Sequence, residues 1–215
     1  MVNSKPKITL SAAITLDGKI GQKNKHIVLS SKSDKIRVHK LRAKSDAILI
    51  GKNTVQQDDP LLTVRYTKGK NPIRIILDSN GTLKNDSRII KTCKHVPTII
   101  VVSEIISKSN LNRLQKLSVE IIVCGKNLVN ITKLLSILSK RGIKTILLEG
   151  GGTLNRSFLK KNLIDEMIIA LTPYVLGTRN TIDLFEGLSF PELKLPLKLK
   201  KIQKSGNEII LNYKF

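Results

Sequence analysis

A chain of 215 residues, 40% of them hydrophobic, is long enough to bury a sizeable core in one α/β domain, and no apolar run approaches the ~18 residues of a membrane helix. Two cysteines, Cys93 and Cys124, are too few for a disulfide framework or a cysteine-built zinc site, and Met1 to Lys7 has no apolar signal core, so a reduced cytoplasmic enzyme is expected. The net charge of +22 raises nucleic acid as a partner, but the lysines are scattered from Lys5 to Lys214 and aromatics are only 3%; a solvated lysine coat, or a field that attracts phosphorylated ligands, accounts for it more simply.

In chain order, the β-branched run Ile8–Ile14 predicts a first strand, and Leu16-Asp17-Gly18-Lys19 reads as the turn after it. Ser33–Lys44 predicts a helix with Ser33 as N-cap and Arg42 near its end, where a guanidinium favours the helix dipole. Ala47–Gly51 predicts the next strand. The loop that follows places Thr54, Asp58, Asp59, Thr63 and Arg65 in a short stretch beyond a strand end, where α/β folds bind ligands. Taken alone, adjacent aspartates before Pro60 also suit a plain turn.

Strands are predicted at Ile73–Leu77, Thr98–Val102, Val119–Val123, Lys144–Leu148 and Glu166–Leu171, with helices over Asn110–Leu117, Leu128–Lys140 and Gly152–Lys161. Leu128, Ile131, Leu134, Leu135 and Leu138 recur at helical spacing, and Gly142 is a stop. Gly177–Pro196 is rich in turn formers and reads as a surface excursion. Lys198–Lys204 and Glu208–Tyr213 flank Ser205-Gly206-Asn207 as a hairpin. Strand–helix alternation that ends in a hairpin implies a single α/β domain over residues 1–215. Its central sheet is mixed and mostly parallel, with helices on both faces and a C-terminal antiparallel hairpin.

Several motifs are missing. There is no G-x-x-x-x-G-K-[ST] loop, no G-x-G-x-x-G after the first strand and no zinc-deaminase signature. His26, His39 and His95 lack metal-ligand spacing and read as surface or helix residues, so no metal is expected. What remains is Glu149-Gly150-Gly151-Gly152-Thr153-Leu154, between an apolar strand and a helix. Glycines let a diphosphate approach the backbone, and the helix start offers free N–H groups. A tight turn accounts for the same residues.

Taken together and in order, Ala13-Ile14-Thr15-Leu16-Asp17-Gly18-Lys19, Arg37–Arg42, Ala47–Gly51 with Thr54 and Asp58-Asp59-Pro60, Leu62–Arg65, Pro72–Ser79, Leu148–Leu154, Asp165-Glu166 and Pro173–Gly177 resemble the riboflavin-biosynthesis reductase family. The resemblance runs from about residue 7 to the C-terminus. It implies a dihydrofolate-reductase-like fold, NADPH as hydride donor (with NADH as a further candidate) and a homodimer. By motif position it implies cofactor contacts at Ala13, Thr54, Asp58, Asp78, Ser79, Gly151, Gly152, Thr153 and Leu154. It implies substrate contacts at Arg42, Leu62, Arg65 and Glu149, with both arginines on a phosphate, which suits their planar fork.

Members of the bacterial branch typically carry a lysine on the first strand, where this chain has Ser11. That difference, with no deaminase signature, points to the branch that reduces 2,5-diamino-6-(ribosylamino)-4(3H)-pyrimidinone 5′-phosphate before deamination. The already deaminated uracil compound is the alternative, and a basic nucleic-acid-binding protein is the alternative of another class. A dihydrofolate reductase proper fits poorly, because the chain has no Trp and two arginines suited to a sugar phosphate. The proton donor is open between Asp17, Asp58, Glu149 and water. Ser87 and Arg88 are candidates for a cofactor 2′-phosphate, and Arg88 suits a surface turn equally well.

Overall fold

A computed structural model describes residues 5–25, 27–188 and 196–215. Strand β1 (Lys7–Ile14) leads through a turn into β2 (Lys19–Gln22), then helix α1 (Lys32–Lys44), β3 (Ala47–Gly51) and α2 (Lys52–Asp58). Next come β4 (Ile73–Leu77), α3 (Arg88–Lys91), β5 (Thr98–Val102), α4 (Lys108–Gln115), β6 (Glu120–Val123), α5 (Ile131–Lys140), β7 (Thr145–Leu148) and α6 (Gly152–Lys160). The chain ends with β8 (Glu166–Leu171), the short β9 (Thr181–Asp183) and the hairpin β10 (Lys198–Ser205) and β11 (Glu208–Lys214).

Nine strands form one sheet in the order β10-β11-β8-β1-β7-β3-β4-β5-β6. Pairings from β8 across to β6 are parallel, and β11 runs antiparallel to both β8 and β10. This is the mixed, mostly parallel sheet with a terminal hairpin that the sequence predicts. Alternation along β3 shows why both faces carry helices. Ala47 and Leu49 join a cluster with Leu134 and Leu138 of α5 and Phe158 of α6. Ile48 and Ile50 point the other way, into a cluster with Val55 of α2, Ile89 of α3 and Leu114 of α4. A strand buried on both faces must be apolar throughout, and every residue of β5, Thr-Ile-Ile-Val-Val, is buried.

Several local expectations are corrected. The N-cap of α1 is Ser31, whose Oγ accepts the Asp34 N–H at 3.1 Å; Ser33 lies inside the first turn. Helix α5 starts at Ile131, capped by Asn130, and Leu128 is 74% exposed before it. A local asparagine cap outcompetes an apolar residue at the edge of the pattern. The loop after β3 is a helix, α2, that ends at Asp59 with φ 38°. Strands β2 and β9 pair in a small second sheet that the sequence pattern did not signal. His26 and residues 189–195 of the Gly177–Pro196 stretch lie outside the described residues.

Strand β7 is inserted between β1 and β3, aligning Leu10 and Leu49 with Leu148 on either side. The carboxyl ends of β1, β7, β3 and β4 therefore come together at one edge, where strand order reverses and open α/β sheets bind ligands.

Candidate active site

A cleft of about 1220 Å³ opens along this edge. At one end, helix α1 contributes Asp34, Val38 and Arg42, spaced by four residues on one face. Arg42 and Glu149 meet in a two-point ion pair, Nε to Oε1 at 2.8 Å and Nη2 to Oε2 at 2.6 Å. Nη1 of Arg42 also donates to the Thr63 carbonyl at 3.2 Å. Burial disfavours the charged guanidinium, but the Glu149 carboxylate outweighs it and raises the Arg42 pKa above its ordinary value. Three N–H groups of Arg42 are engaged in these contacts, and a guanidinium has two more to offer a ligand.

The segment after α2 supplies the opposing wall. Leu62 is buried with φ 54°, a conformation an L-leucine holds only under constraint. Nearby, Arg65 Nη1 donates to Thr63 Oγ1 at 2.8 Å. Burial and the neighbouring Arg42 charge lower the Arg65 pKa. Both arginines line the cleft, so one end of it holds two guanidinium groups within one region of positive potential.

Between these groups sits His39, which is buried. Its Nδ1 accepts the N–H of Arg65 at 2.7 Å and that of Tyr66 at 3.3 Å. The Tyr66 ring meets it edge-on, centroids 4.6 Å apart. Burial, reinforced by Arg42 and Arg65, pushes the imidazole pKa down to about 4, so it is neutral at physiological pH.

Deeper along α1, Asp34 Oδ1 accepts from Arg37 Nε at 2.7 Å, and Arg37 Nη2 reaches Ser11 Oγ at 3.3 Å. Asp34 Oδ2 and Arg37 Nη1 are both buried without a hydrogen-bond partner among the described residues. Asp34 and Ser11 belong to the cleft wall. Unpartnered buried polar atoms are costly, so their presence at a cleft points to a ligand.

At the other end, β7 runs into α6 through the glycine stretch. Gly151 has φ 117°, open to glycine but strained for other residues, and it is the N-cap of α6. No side chain caps this helix, whereas Ser31, Ser107 and Asn130 cap α1, α4 and α5. The first-turn N–H groups of Gly152, Thr153 and Leu154 thus remain available at the cleft wall, as anion binding requires. Thr54 Oγ1 donates to the Gly150 carbonyl at 2.9 Å, pinning α2 against the glycine stretch. Asp58 and Ala13 also border the cleft.

Ser79 and Asp78 mark the far end, but the Asp78 carboxylate is committed internally. It accepts the Leu83 N–H at 2.6 Å and the Thr82 hydroxyl at 3.3 Å. Ser79 Oγ accepts the Val129 N–H at 3.2 Å. Lys52 stands on this part of the wall, its Nζ 3.1 Å from Thr82 Oγ1. Ser87 and Arg88 do not border the cleft; the Ser87 hydroxyl donates to Lys84 O, and the Arg88 N–H is bound by Asp59 Oδ1. Asp17 also stands apart from the cleft wall. It accepts from Thr15 Oγ1 at 2.6 Å and from the N–H groups of Leu176 and Gly177, and the Thr15 hydroxyl foremost holds its carboxyl below the usual range.

The structure therefore gathers Ala13, Arg42, Thr54, Asp58, Leu62, Arg65, Asp78, Ser79, Glu149, Gly151, Gly152, Thr153 and Leu154 on one cleft. Asp34, Arg37 and His39 were missed as site residues by sequence reasoning. Pattern did not single them out: Asp34 and His39 are buried polar residues in a helix with no apolar stripe, and Arg37 lies on a different side of it from His39. Among the described residues no group of His, Cys, Asp and Glu is placed to hold a metal ion.

The family model described as the RibD C-terminal domain matches residues 6–211. The chain belongs to that family. Its relatives include a protein of Aquifex aeolicus named 2,5-diamino-6-ribosylamino-4(3H)-pyrimidinone 5′-phosphate reductase, 35% identical over 216 residues, covering 97% of this chain and 96% of the relative. A Methanothermobacter thermautotrophicus protein of the same name is 36% identical over 214 residues, covering 97% and 98%. Among solved structures, Acinetobacter baumannii RibD superposes with a TM-score of 0.83 at 26% identity, over 98% of this chain and 58% of that one.

Proposed function

We propose that this RibD C-terminal domain is a single reductase domain, acting on 2,5-diamino-6-(ribosylamino)-4(3H)-pyrimidinone 5′-phosphate with a nicotinamide nucleotide. The observation that carries the reading is one continuous cleft with two anion-compatible ends, the open N-terminus of α6 and the Arg42–Arg65 corner. A nicotinamide nucleotide bound there supplies a hydride. Gly151, Gly152, Thr153 and Leu154 would cradle its diphosphate, Thr54, Ala13 and Asp58 would border the nicotinamide, and Ser79 with Asp78 would flank the adenosine. Arg42 and Arg65 would take the sugar phosphate, with Glu149 and Leu62 against the sugar. The chain's task is to hold both reactants in one orientation and to exclude water. Asp58 is favoured over Asp17 as proton donor because it borders the cleft and Asp17 does not.

Asp34 supports the diamino substrate over its deaminated counterpart. An ionised carboxylate oxygen can only accept a hydrogen bond. An exocyclic amino group offers one; an oxo group in its place presents lone pairs and is repelled. NADPH is favoured over NADH because Asp78 is already satisfied and presents no free carboxylate to a ribose hydroxyl, while Lys52 provides a positive charge beside it. Both pyrimidinones assayed with each cofactor, following absorbance at 340 nm, test the reading; turnover confined to the deaminated compound, or none with either nucleotide, would overturn it.

A cytoplasmic homodimer fits the same reading. No helix among the described residues is long and apolar enough to cross a membrane. Leu199, Ile202, Ile209 and Phe215 leave apolar surface exposed on the terminal hairpin, as a self-pairing surface requires. Sedimentation velocity at micromolar concentration checks the dimer, and a monomer at every concentration refutes it.

A further inference from the structure

We propose that His39 binds the substrate phosphate directly, donating from Nε2–H between Arg42 and Arg65. The inference rests on the reading of that corner as a sugar-phosphate pocket. Its basis is a hydrogen-bond count. Two main-chain N–H groups, of Arg65 and Tyr66, converge on Nδ1. An N–H donor needs a lone pair to point at, so Nδ1 carries no proton. A neutral imidazole then has its single proton on Nε2, and the tautomer is fixed by the backbone of residues 65 and 66.

Every charged or titratable group facing the ring acts in the same direction or is already engaged. Arg42 and Arg65 disfavour a third cation beside them, Glu149 is bound to Arg42, and Tyr66 meets the ring edge-on. The imidazole therefore stays neutral while keeping a donor, on a ring that belongs to the cleft wall. A third full cation would bind any anion tightly and repel the two arginines in the empty cleft. A neutral N–H supplies the third hydrogen bond to a phosphate oxygen without that repulsion. His39 also ties helix α1 to the backbone of Arg65, so one ring sets the spacing of both arginines.

Ribose 5-phosphate is the probe, and ribose the control. Long-range ¹H–¹⁵N spectra of the unsubstituted protein should show His39 as the Nε2–H tautomer, with its Nε2 resonance moving on titration with ribose 5-phosphate and not with ribose. An Nδ1–H tautomer, or an Nε2 signal indifferent to the phosphate ester, overturns the proposal. Calorimetry on two variants separates the ring's roles. His39→Asn keeps an acceptor near Nδ1 and loses the distal donor; His39→Gln keeps a distal donor. Binding should weaken about tenfold in His39→Asn, the scale of one hydrogen bond to a charged group, and less in His39→Gln. Unchanged affinity in His39→Asn overturns the phosphate contact while leaving the reductase reading standing. Absence of ribose 5-phosphate binding in the unsubstituted chain, alongside normal reductase turnover, overturns the pocket assignment and the His39 role together.

Discussion

Arg42 and Glu149, 107 positions apart, face each other across the cleft edge with Nε–Oε1 and Nη2–Oε2 separations of 2.8 and 2.6 Å. The pair bolts the end of helix α1 to the end of strand β7, and it leaves two N–H groups of the guanidinium for a ligand. Neither residue can be replaced without leaving the other charged and largely buried, with side chains only 10% and 14% exposed. Glu149→Gln should destabilise the fold by about 3 kcal/mol in urea denaturation, the usual cost of breaking a buried pair from one side. A double-mutant cycle with Arg42→Met should return a coupling of about 1–3 kcal/mol; additive effects would show that the pair contributes nothing as a pair.

Arg65 differs: its side chain donates to Thr63 Oγ1, lies over the Tyr66 ring 6.0 Å from the centroid, and is more open to solvent. Its loss should therefore be felt by the ligand more than by the fold. Arg65→Ala is expected to raise the substrate KM by roughly 10- to 100-fold, as for one charge-assisted contact, with kcat little changed. A KM equal to that of the parent enzyme removes Arg65 from phosphate binding.

His39 makes stability depend on pH. Its folded pKa, about 4, lies below the ordinary 6.5, so the unfolded chain binds the proton more readily. Where the unfolded state carries more protons, stability rises with pH. The His39 contribution is thus complete above pH 6.5 and is lost progressively as pH falls through 6.5 towards 4. Melting curves across this window should show a decline that is shallower in His39→Asn than in the parent chain. Parallel curves for the two proteins would contradict the neutral, buried imidazole.

Asp34 is the proposed reader of the pyrimidinone. Asp34→Asn replaces an acceptor-only oxygen pair with a group that can also donate, and so should lose selectivity. Relative to the deaminated compound, kcat/KM for the diamino compound is expected to drop by about 10- to 100-fold, the scale at which a site built for one hydrogen bond rejects its mismatch. An unaltered ratio would move the specificity elsewhere on the cleft wall.

Arg74 tests the frame behind the site. It is fully buried, with no carboxylate in contact among the described residues, and its guanidinium donates to the Thr98 and Thr92 hydroxyls and to the carbonyls of Leu61, Ile89 and Val96. Burial lowers its pKa to about 10. Arg74→Ala strands these acceptors in the interior and should cost about 3–5 kcal/mol in equilibrium unfolding. A loss below about 1 kcal/mol would mean that water replaces the guanidinium.

Much of this was legible in the sequence because the relevant signals are local. Apolar β-branched runs placed the parallel strands of the main sheet, turn chemistry at Ser205-Gly206-Asn207 placed its hairpin, and the glycine stretch between Leu148 and Leu154 located the start of α6 at the cleft. The ligand-bearing segment from Thr54 to Arg65 was recognisable by its density of polar groups, although its first half is helical; a seven-residue helix has too little periodicity to announce itself. Ser33 reads as the α1 cap from sequence, but Ser31 stands two residues before it, and only the reach of its Oγ to the Asp34 N–H marks it as the cap. The pairing of Arg42 with Glu149, the tautomer of His39 and the commitment of Asp78 to Leu83 depend on contacts between distant segments or on the direction of one side chain, and periodicity carries neither.

The insertion of β7 between β1 and β3 has a further consequence, for the order in which the chain can assemble. While residues up to about 140 emerge during synthesis, β1 and β3 have no partner on their shared side, and each presents an open apolar edge. Parallel pairing at such sequence separation is slow, and exposed edges are prone to association. Only when Thr145–Leu148 slots in do the two halves of the sheet become one, and the same step delivers Glu149 to Arg42. Closure of the sheet and completion of the site are therefore a single event: a nascent or truncated chain ending before β7 should be sticky and devoid of ligand binding, with no partly competent stage between.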